Sequence, residues 1–143
     1  MGQRRRRRPQ VKQAGSSVGS HILADLYGVD PVMLRDSAAL DALLRRAAQA
    51  AGARVLGSHF HSFGITDGGT GVADGVTGVV LLAESHISIH TWPESGLAAA
   101  DIFMCGSADP ERALAILVAE LAPSHQHVKT LSRGFAQRLA SLV

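Results

Sequence analysis

Apolar and polar residues follow a clear strand pattern between Val79 and Gly106, in the middle of the chain. Residues 79–82 are four consecutive apolar positions, which is typical of a buried strand. In residues 86–90 polar and apolar positions alternate, so a half-buried strand is expected with His86, Ser88 and His90 on one face. Turn-forming residues at 93–96 then separate this strand from a third apolar run, residues 97–105. The pattern predicts three consecutive strands.

The rest of the chain alternates between strand and helix patterns. Further strands are expected at residues 18–27, 54–63 and 126–131. One helix should begin at Asp36 or Ser37 and end near Gly52. A second should begin at Asp109 and end before Pro123, and residues 133–143 are compatible with a short third helix. The two main helices carry apolar stripes at helical spacing: Leu40, Leu43, Leu44, Ala47 and Ala51 in the first, and Ala113, Leu114, Leu117, Val118 and Leu121 in the second.

Strands arranged in hairpins together with two amphipathic helices favour an α+β fold. We expect a two-layer sandwich, with a mostly antiparallel sheet and the two main helices on one face. Residues 79–82 and 97–102 do not alternate, although one sheet face should be free of helices. This predicts that the second face is also covered, and a second copy of the chain is the available partner. A homodimer is therefore expected.

Length and charge set the domain organisation. The 143 residues fit a single domain, which we place at residues 18–143 after an Arg-rich leader at residues 1–17. Five of the positive charges fall in residues 4–8, so the remainder carries a net charge of −3 rather than the overall +2. The leader could contact nucleic acid, but no second basic patch or aromatic platform supports this, and we expect no nucleic-acid partner.

The compartment is predicted from what the sequence lacks. No apolar run is long enough to span a bilayer, and no apolar segment follows the N-terminal charges as it would in a secretory signal. The lone cysteine cannot form an internal disulfide and suits a reducing compartment. We expect a cytoplasmic protein without a membrane partner.

Two segments in the middle of the chain carry a family resemblance. The sequence A-E-S-H-I-S-I-H-T-W-P-E, followed by A-A-A-D-I-F-M-C-G, resembles the bacterial S-adenosylmethionine decarboxylase proenzyme, a pyruvoyl-dependent enzyme. Gly19-Ser20-His21 and Phe60-His61-Ser62-Phe63 resemble two further segments of that family. The resemblance implies the same α+β fold. It also implies decarboxylation of S-adenosylmethionine to S-adenosylmethioninamine, the aminopropyl donor for spermidine, by a homodimer of processed chains.

The chemistry explains why such an enzyme needs a special carbonyl. Decarboxylating an α-amino acid requires an electron sink, which a carbonyl provides when it forms a Schiff base with the substrate amine. Lys12 and Lys129 are the only lysines, and a pyruvoyl cofactor made from the backbone fits better than pyridoxal. The resemblance implies that the Ser85 hydroxyl attacks the Glu84 carbonyl. The resulting ester then eliminates, leaving residues 1–84 and a pyruvoyl group at the start of residues 85–143.

The resemblance also assigns roles to five other positions. Cys105 is the acid that protonates the substrate carbon after CO2 leaves, and His90 accepts the proton lost in the elimination. Thr77 stands where the family has a serine and keeps the hydroxyl that would assist processing as an oxyanion donor. Phe60 and Glu94 are expected to contact the substrate. No metal is expected.

Two other functions remain open at this point. The family pattern Pro-Glu-Tyr-Gly-Tyr is replaced by Pro-Glu-Ser-Gly-Leu at residues 93–97, so the adenine slot loses two tyrosines. A pyruvoyl-dependent decarboxylase of the same fold acting on arginine or ornithine is therefore an alternative substrate assignment. A metal-binding module is the alternative of another class, based on three histidine pairs: His59 and His61, His86 and His90, and His125 and His127.

Overall fold

The structure is a computed structural model that describes residues 17–64 and 74–135. The described part contains six strands and three α-helices. The strands are β1 (Ser17–Tyr27), β2 (Val55–Ser62), β3 (Val76–Leu82), β4 (Ser85–Trp92), β5 (Leu97–Cys105) and β6 (His125–Phe135). The helices are α1 (Pro31–Arg35), α2 (Ser37–Ala50) and α3 (Pro110–Leu121).

The six strands form one antiparallel sheet in the order β2-β3-β4-β5-β1-β6. Strands β3, β4 and β5 follow one another as hairpins and occupy the centre, and β1 returns to pair between β5 and β6. Helices α2 and α3 pack on each other and on one face of the sheet. The predicted α+β class and antiparallel sheet are confirmed.

Both main helices begin at the predicted capping residues and bury the predicted stripes, except that Val118 is only partly buried. The Asp36 carboxylate accepts a hydrogen bond from the Ala39 backbone N–H at 2.9 Å, and Asp109 accepts one from Glu111 at 3.0 Å. Leu44 and Leu117, near the middles of the two helices, are completely buried. They belong to the same buried core as inward-facing strand residues such as Ile87 and Ile102. Burying a Leu or Ile side chain contributes about 1.5–3 kcal/mol, so this interface is the main source of stability.

Two local expectations differ from the structure. No helix is predicted between the first strand and Asp36, but Pro31 begins the short helix α1, capped by the Asp30 carboxylate. A helix of five residues has too little periodicity to be detected from the sequence. The expected C-terminal helix is wrong for residues 133–135, which continue strand β6. Ser17, the last residue assigned to the leader, begins β1. The rest of the leader, residues 1–16, and residues 65–73 and 136–143 lie outside the described residues.

The face of the sheet opposite the helices, called the open face below, is not covered by any of residues 17–64 and 74–135. Burial alternates along β3, β4 and β5, and the less buried positions lie on this face. Large apolar side chains on this face include Leu81 of β3, which is 52% exposed, and Leu131 of β6, which is 46% exposed. In the described part of the chain, no helix is both long and apolar enough to cross a membrane.

Candidate active site

The hairpin turn between β3 and β4 holds Ser85 in a strained backbone conformation. Ala83 and Glu84 form the turn, and Ser85 is the first residue of β4. Its φ angle is +146°, a value that residues with a side chain rarely adopt. Such a conformation costs about 1–3 kcal/mol and persists only where the surroundings enforce it. The strained torsion belongs to the residue that directly follows the Glu84–Ser85 peptide bond, the bond that the sequence predicts to be cut.

Backbone donors hold both ends of Glu84. The Cys105 backbone N–H donates to the Glu84 carbonyl oxygen at 3.1 Å, and the Arg54 backbone N–H donates to the Glu84 side chain (Oε2) at 2.9 Å. The turn is further fixed because the Ala83 N–H donates to the Arg54 carbonyl at 2.9 Å. A donor on the carbonyl oxygen stabilises the negative charge that develops there if a nucleophile attacks the carbonyl carbon.

The Ser85 hydroxyl has a histidine neighbour. Its Oγ lies 3.3 Å from Nδ1 of the half-buried His86. The pKa of His86 is lowered from the ordinary histidine value, first by burial and then by the electrostatic effects of His21 and Arg133, while the Asp101 carboxylate opposes the shift. A lowered pKa keeps the imidazole neutral, so that it can accept a hydrogen bond or a proton from the serine.

A second polar pair lies at the far end of the same hairpin. Thr77 Oγ1 and His90 Nδ1 are 2.5 Å apart, and the two residues form the terminal pair of the β3–β4 register. The His90 side chain is on the exposed side of β4. The Thr77 hydroxyl is therefore in direct contact with the imidazole ring of His90.

A buried threonine fixes this second pair from the opposite side of the sheet. Thr91 is only 5% exposed, and its hydroxyl accepts from the Val76 N–H at 2.8 Å and donates to the Leu34 carbonyl at 2.7 Å. A Cβ on Gly75 would lie 2.1 Å from the Thr91 carbonyl oxygen, so only glycine permits this close approach. These contacts fasten the start of β3 and the end of β4 to α1, immediately behind Thr77 and His90.

One chain does not bring these two groups together. Ser85 pairs with Leu82 at one end of the β3–β4 register, and His90 pairs with Thr77 at the other end. Five residues of strand at about 3.3 Å each separate them by roughly 16 Å. Cys105, in contrast, lies at the Ser85 end, because it follows Met104, the residue opposite Ser85 on β5.

The two expected substrate contacts lie in different places. Glu94 is exposed in the 3₁₀ turn Pro93–Ser95, at the same end of β4 as His90. Phe60 lies on the helix side of β2, where its ring covers Gly78 so closely that a Cβ there would be 2.1 Å away. The structure therefore does not place Phe60 beside His90 in one chain, and both substrate contacts stay predictions.

Two features were not found from the sequence. The Cys105 and Arg54 N–H groups act through the backbone and depend on strand pairing, so no side-chain signal marks them. Thr91 did have a signal. It continues the buried alternation of Ile87 and Ile89, and a hydroxyl on a buried face needs hydrogen-bond partners.

The three histidine pairs do not form a metal site in the part of the chain that the structure covers. No group of three or more His, Cys, Asp or Glu residues within residues 17–64 and 74–135 is arranged to hold a metal ion. His59 and His61 lie on β2, His86 and His90 on β4, and His125 and His127 on β6, at one edge, the middle and the other edge of the sheet.

A cavity of about 180 Å³ lies in the helix layer and is separate from both polar groups. It is lined mainly by apolar side chains of α1, α2 and the end of α3, among them Leu40, Leu43 and Leu121. These side chains pack on the helix side of the sheet, whereas His86 and His90 lie on the open face. The cavity is therefore not part of the candidate active site.

The comparisons with known proteins agree with this architecture. The family profile described as S-adenosylmethionine decarboxylase matches residues 20–134. An S-adenosylmethionine decarboxylase proenzyme of Parasynechococcus marenigrum (strain WH8102) is 44% identical over 127 residues, which cover 88% of this chain and 93% of the relative. A protein of the same name from Thermococcus onnurineus (strain NA1) is 37% identical, covering 85% of this chain and 81% of the relative.

A solved structure extends the similarity to three dimensions. The crystal structure of the adenosylmethionine decarboxylase from Aquifex aeolicus VF5 superposes with a TM-score of 0.74 at 40% identity, over 86% of this chain and 96% of that chain. The fold is thus that of a known class of two-layer α+β decarboxylases. This chain belongs to the S-adenosylmethionine decarboxylase family.

Proposed function

We propose that this chain is a proenzyme that cuts itself between Glu84 and Ser85 and then decarboxylates S-adenosylmethionine. The observation that carries the proposal is the strained Ser85 beside a Glu84 carbonyl whose oxygen already accepts the Cys105 N–H. A strained residue beside the peptide bond and a hydrogen-bond donor to the carbonyl oxygen both favour attack on the peptide carbonyl carbon. The names of the relatives favour S-adenosylmethionine over arginine or ornithine as substrate, and an enzyme over a metal-binding module.

Self-cleavage proceeds in two stages. In the first, Ser85 Oγ bonds to the Glu84 carbonyl carbon, the Glu84–Ser85 C–N bond breaks, and the hydroxyl proton ends on the released Ser85 amine, leaving an ester. In the second, a base removes the Ser85 Cα proton and the bond between Ser85 Cβ and Oγ breaks, so that residues 1–84 leave with a carboxylate. The dehydroalanine that remains rearranges to an imine, and water converts it to a pyruvoyl group with loss of ammonia.

The base of the second stage is His90, and we assign it to a partner chain. Within one chain His90 lies roughly 16 Å along the strand from Ser85. In a two-fold dimer whose open faces contact each other, the β3–β4 hairpins of the two chains would run in opposite directions. The partner's Thr77–His90 pair would then meet Ser85, and the reverse contact would complete the second site. Burial of Leu81 and Leu131 in this interface supplies a reason for the chains to associate.

The chain's own residues then complete the turnover. The pyruvoyl group supplies the carbonyl that withdraws electrons from the breaking C–C bond. Cys105, a half-buried free thiol at the Ser85 end of the sheet, donates the proton that replaces CO2 on the substrate carbon. Glu94 lies at the His90 end of β4, so in the proposed dimer it is the partner's Glu94 that would contact the substrate. A thiol that must remain free fits the reducing cytoplasm.

Denaturing mass spectrometry tests the cleavage, and CO2 release tests the substrate. The parent chain should give residues 1–84 and residues 85–143 with a blocked terminus, and should release CO2 from S-adenosylmethionine but not from arginine or ornithine. Ser85→Ala should remain one chain without activity. Ser88→Ala, a control on the same strand, should be cleaved normally. Cleavage of Ser85→Ala, or CO2 release from arginine or ornithine alone, would contradict the proposal.

A further inference from the structure

Two histidines lie on the open face of β4, and the proposed function uses only one of them. His90 acts in the elimination, but the first stage also moves a proton, from Ser85 Oγ to the departing Ser85 amine. No group has been assigned to that transfer. His90 of the same chain lies at the far end of the hairpin. His86 lies next to Ser85, with Nδ1 3.3 Å from Oγ.

We propose that His86 is a catalytic residue of self-cleavage, the general base that takes the Ser85 hydroxyl proton and returns it to the Ser85 nitrogen. The inference rests on the proposed self-cleavage at Ser85. Oγ bonds to the Glu84 carbonyl carbon as its proton moves to His86 Nδ1. The imidazolium then gives this proton to the nitrogen as the C–N bond breaks, so His86 ends the step neutral.

The packing around His86 fixes the orientation of its ring. The imidazole packs edge-on against Phe103, with 6.1 Å between the ring centroids, and against His21, with 6.3 Å between centroids. Arg133 in turn stacks over Phe103 at 4.9 Å. These neighbours come from β5, β1 and β6, so three strands position a side chain whose Nδ1 points to the serine.

The charges around His86 favour the neutral base. His21 on β1, Asp101 on β5 and Arg133 on β6 are the charged or titratable groups that act on it, and β3 places the apolar Leu81 opposite it. Burial and the electrostatic effects of His21 and Arg133 outweigh that of Asp101, so the pKa of His86 is lowered. Most of His86 is then neutral at pH 7, and it becomes protonated only below the ordinary histidine value of 6.5.

This role belongs to the first stage alone, which separates it from that of His90. The Cys105 N–H on the carbonyl oxygen, the strained Ser85 backbone and the His86 imidazole all lie at one end of one chain. Ester formation therefore needs no group from the far end of the hairpin. His90 is required only afterwards, when the Cα proton is removed.

The test measures ester formation by itself. In a His90→Ala background the chain should stop at the ester, which hydroxylamine cleaves into two fragments while an intact amide survives. Chains made in a cell-free reaction are treated with hydroxylamine at successive times, and the fragments are quantified by mass spectrometry. The variant is His86→Asn, since the Asn amide oxygen can occupy the position of Nδ1 and accept a hydrogen bond but is not basic. His127→Asn, on exposed edge strand β6, is the matched control.

His86→Asn should slow ester formation about 100-fold, as expected for loss of a general base, and the remaining rate should not change with pH. The parent His86 chain should lose rate only below about pH 6.5. His127→Asn should behave as the parent. A His86→Asn chain that forms the ester at the parent rate overturns the inference, as does a slow variant that keeps the parent pH profile. If none of the chains forms the ester, the result instead contradicts self-cleavage at Ser85.

Discussion

The two ends of the β3–β4 hairpin differ in how their functional groups are held. At the Ser85 end, backbone N–H groups of Cys105 and Arg54 fix Glu84, and the backbone of Ser85 is strained. At the other end, Thr77 and His90 form a relaxed, partly exposed pair fastened from behind by the Thr91 hydroxyl. In the proposed mechanism, the first end breaks the peptide bond and the second presents its side-chain pair to a partner chain.

This difference explains why neither end of the hairpin could complete the proposed self-cleavage by itself. The strained end has a nucleophile, an oxyanion donor and an adjacent imidazole, but its polar groups do not include Thr77 or His90. The exposed end has a hydrogen-bonded imidazole but no bond to act on. A division of this kind is expected when a symmetric dimer supplies each end twice, because every interface contact then occurs as a reciprocal pair.

The largest expected effect separates the two stages of cleavage. His90→Ala should abolish the pyruvoyl product, because no base removes the Ser85 Cα proton. The chain should keep the mass of the uncleaved His90→Ala variant, since an ester and an amide are isomers, and hydroxylamine should split it at residue 84. His61→Ala, which removes the neighbouring histidine on β2 opposite Thr77, is the control and should be processed. Spontaneous fragments 1–84 and 85–143 from His90→Ala would exclude it as the base.

The next effect concerns turnover at the Ser85 end. In Cys105→Ala the backbone N–H remains, so the oxyanion donor survives and cleavage should continue. The proton donor is lost, and CO2 release per cleaved chain should fall by about 100-fold or more. The measurement is CO2 release normalised to the cleaved fraction determined by mass spectrometry. Parent-level turnover would remove the thiol from the reaction.

A smaller effect is expected from the residue that fastens the His90 end. Thr91→Val leaves the Val76 N–H and the Leu34 carbonyl without their partner, and each unpaired buried group costs about 1–3 kcal/mol. Urea unfolding of the uncleavable Ser85→Ala chain should detect this loss. Thr91→Ser, which keeps the hydroxyl, should recover most of it. Equal stability of the Val and Ser variants would show that the hydroxyl does not fasten this end.

The sequence predicted the main strands and helices, but not that Ser85 and His90 lie at opposite ends of one hairpin. Periodicity located the central strands and both main helices, because each buries one face along its whole length. The resemblance singled out Ser85, His90 and Cys105. The separation of Ser85 from His90 depends on the register of the hairpin. The hydrogen bond from the Cys105 N–H to the Glu84 carbonyl depends on pairing between strands. Neither feature is encoded in a short motif. The helix α1 was missed because one turn carries no periodicity, although its Leu34 carbonyl completes the contact with Thr91.

Assembly of the site from two chains is tested most directly with a mixed dimer. Ser85→Ala and His90→Ala chains with different tags are co-expressed, and the pair carrying both tags is isolated. One site then has both defects, while the other joins an intact Ser85 to the partner's intact His90. We predict that the His90→Ala chain in this mixed dimer is cut into residues 1–84 and 85–143 with a pyruvoyl terminus, although neither variant is processed alone. A mixed dimer in which both chains stay uncut would contradict a site shared between partners.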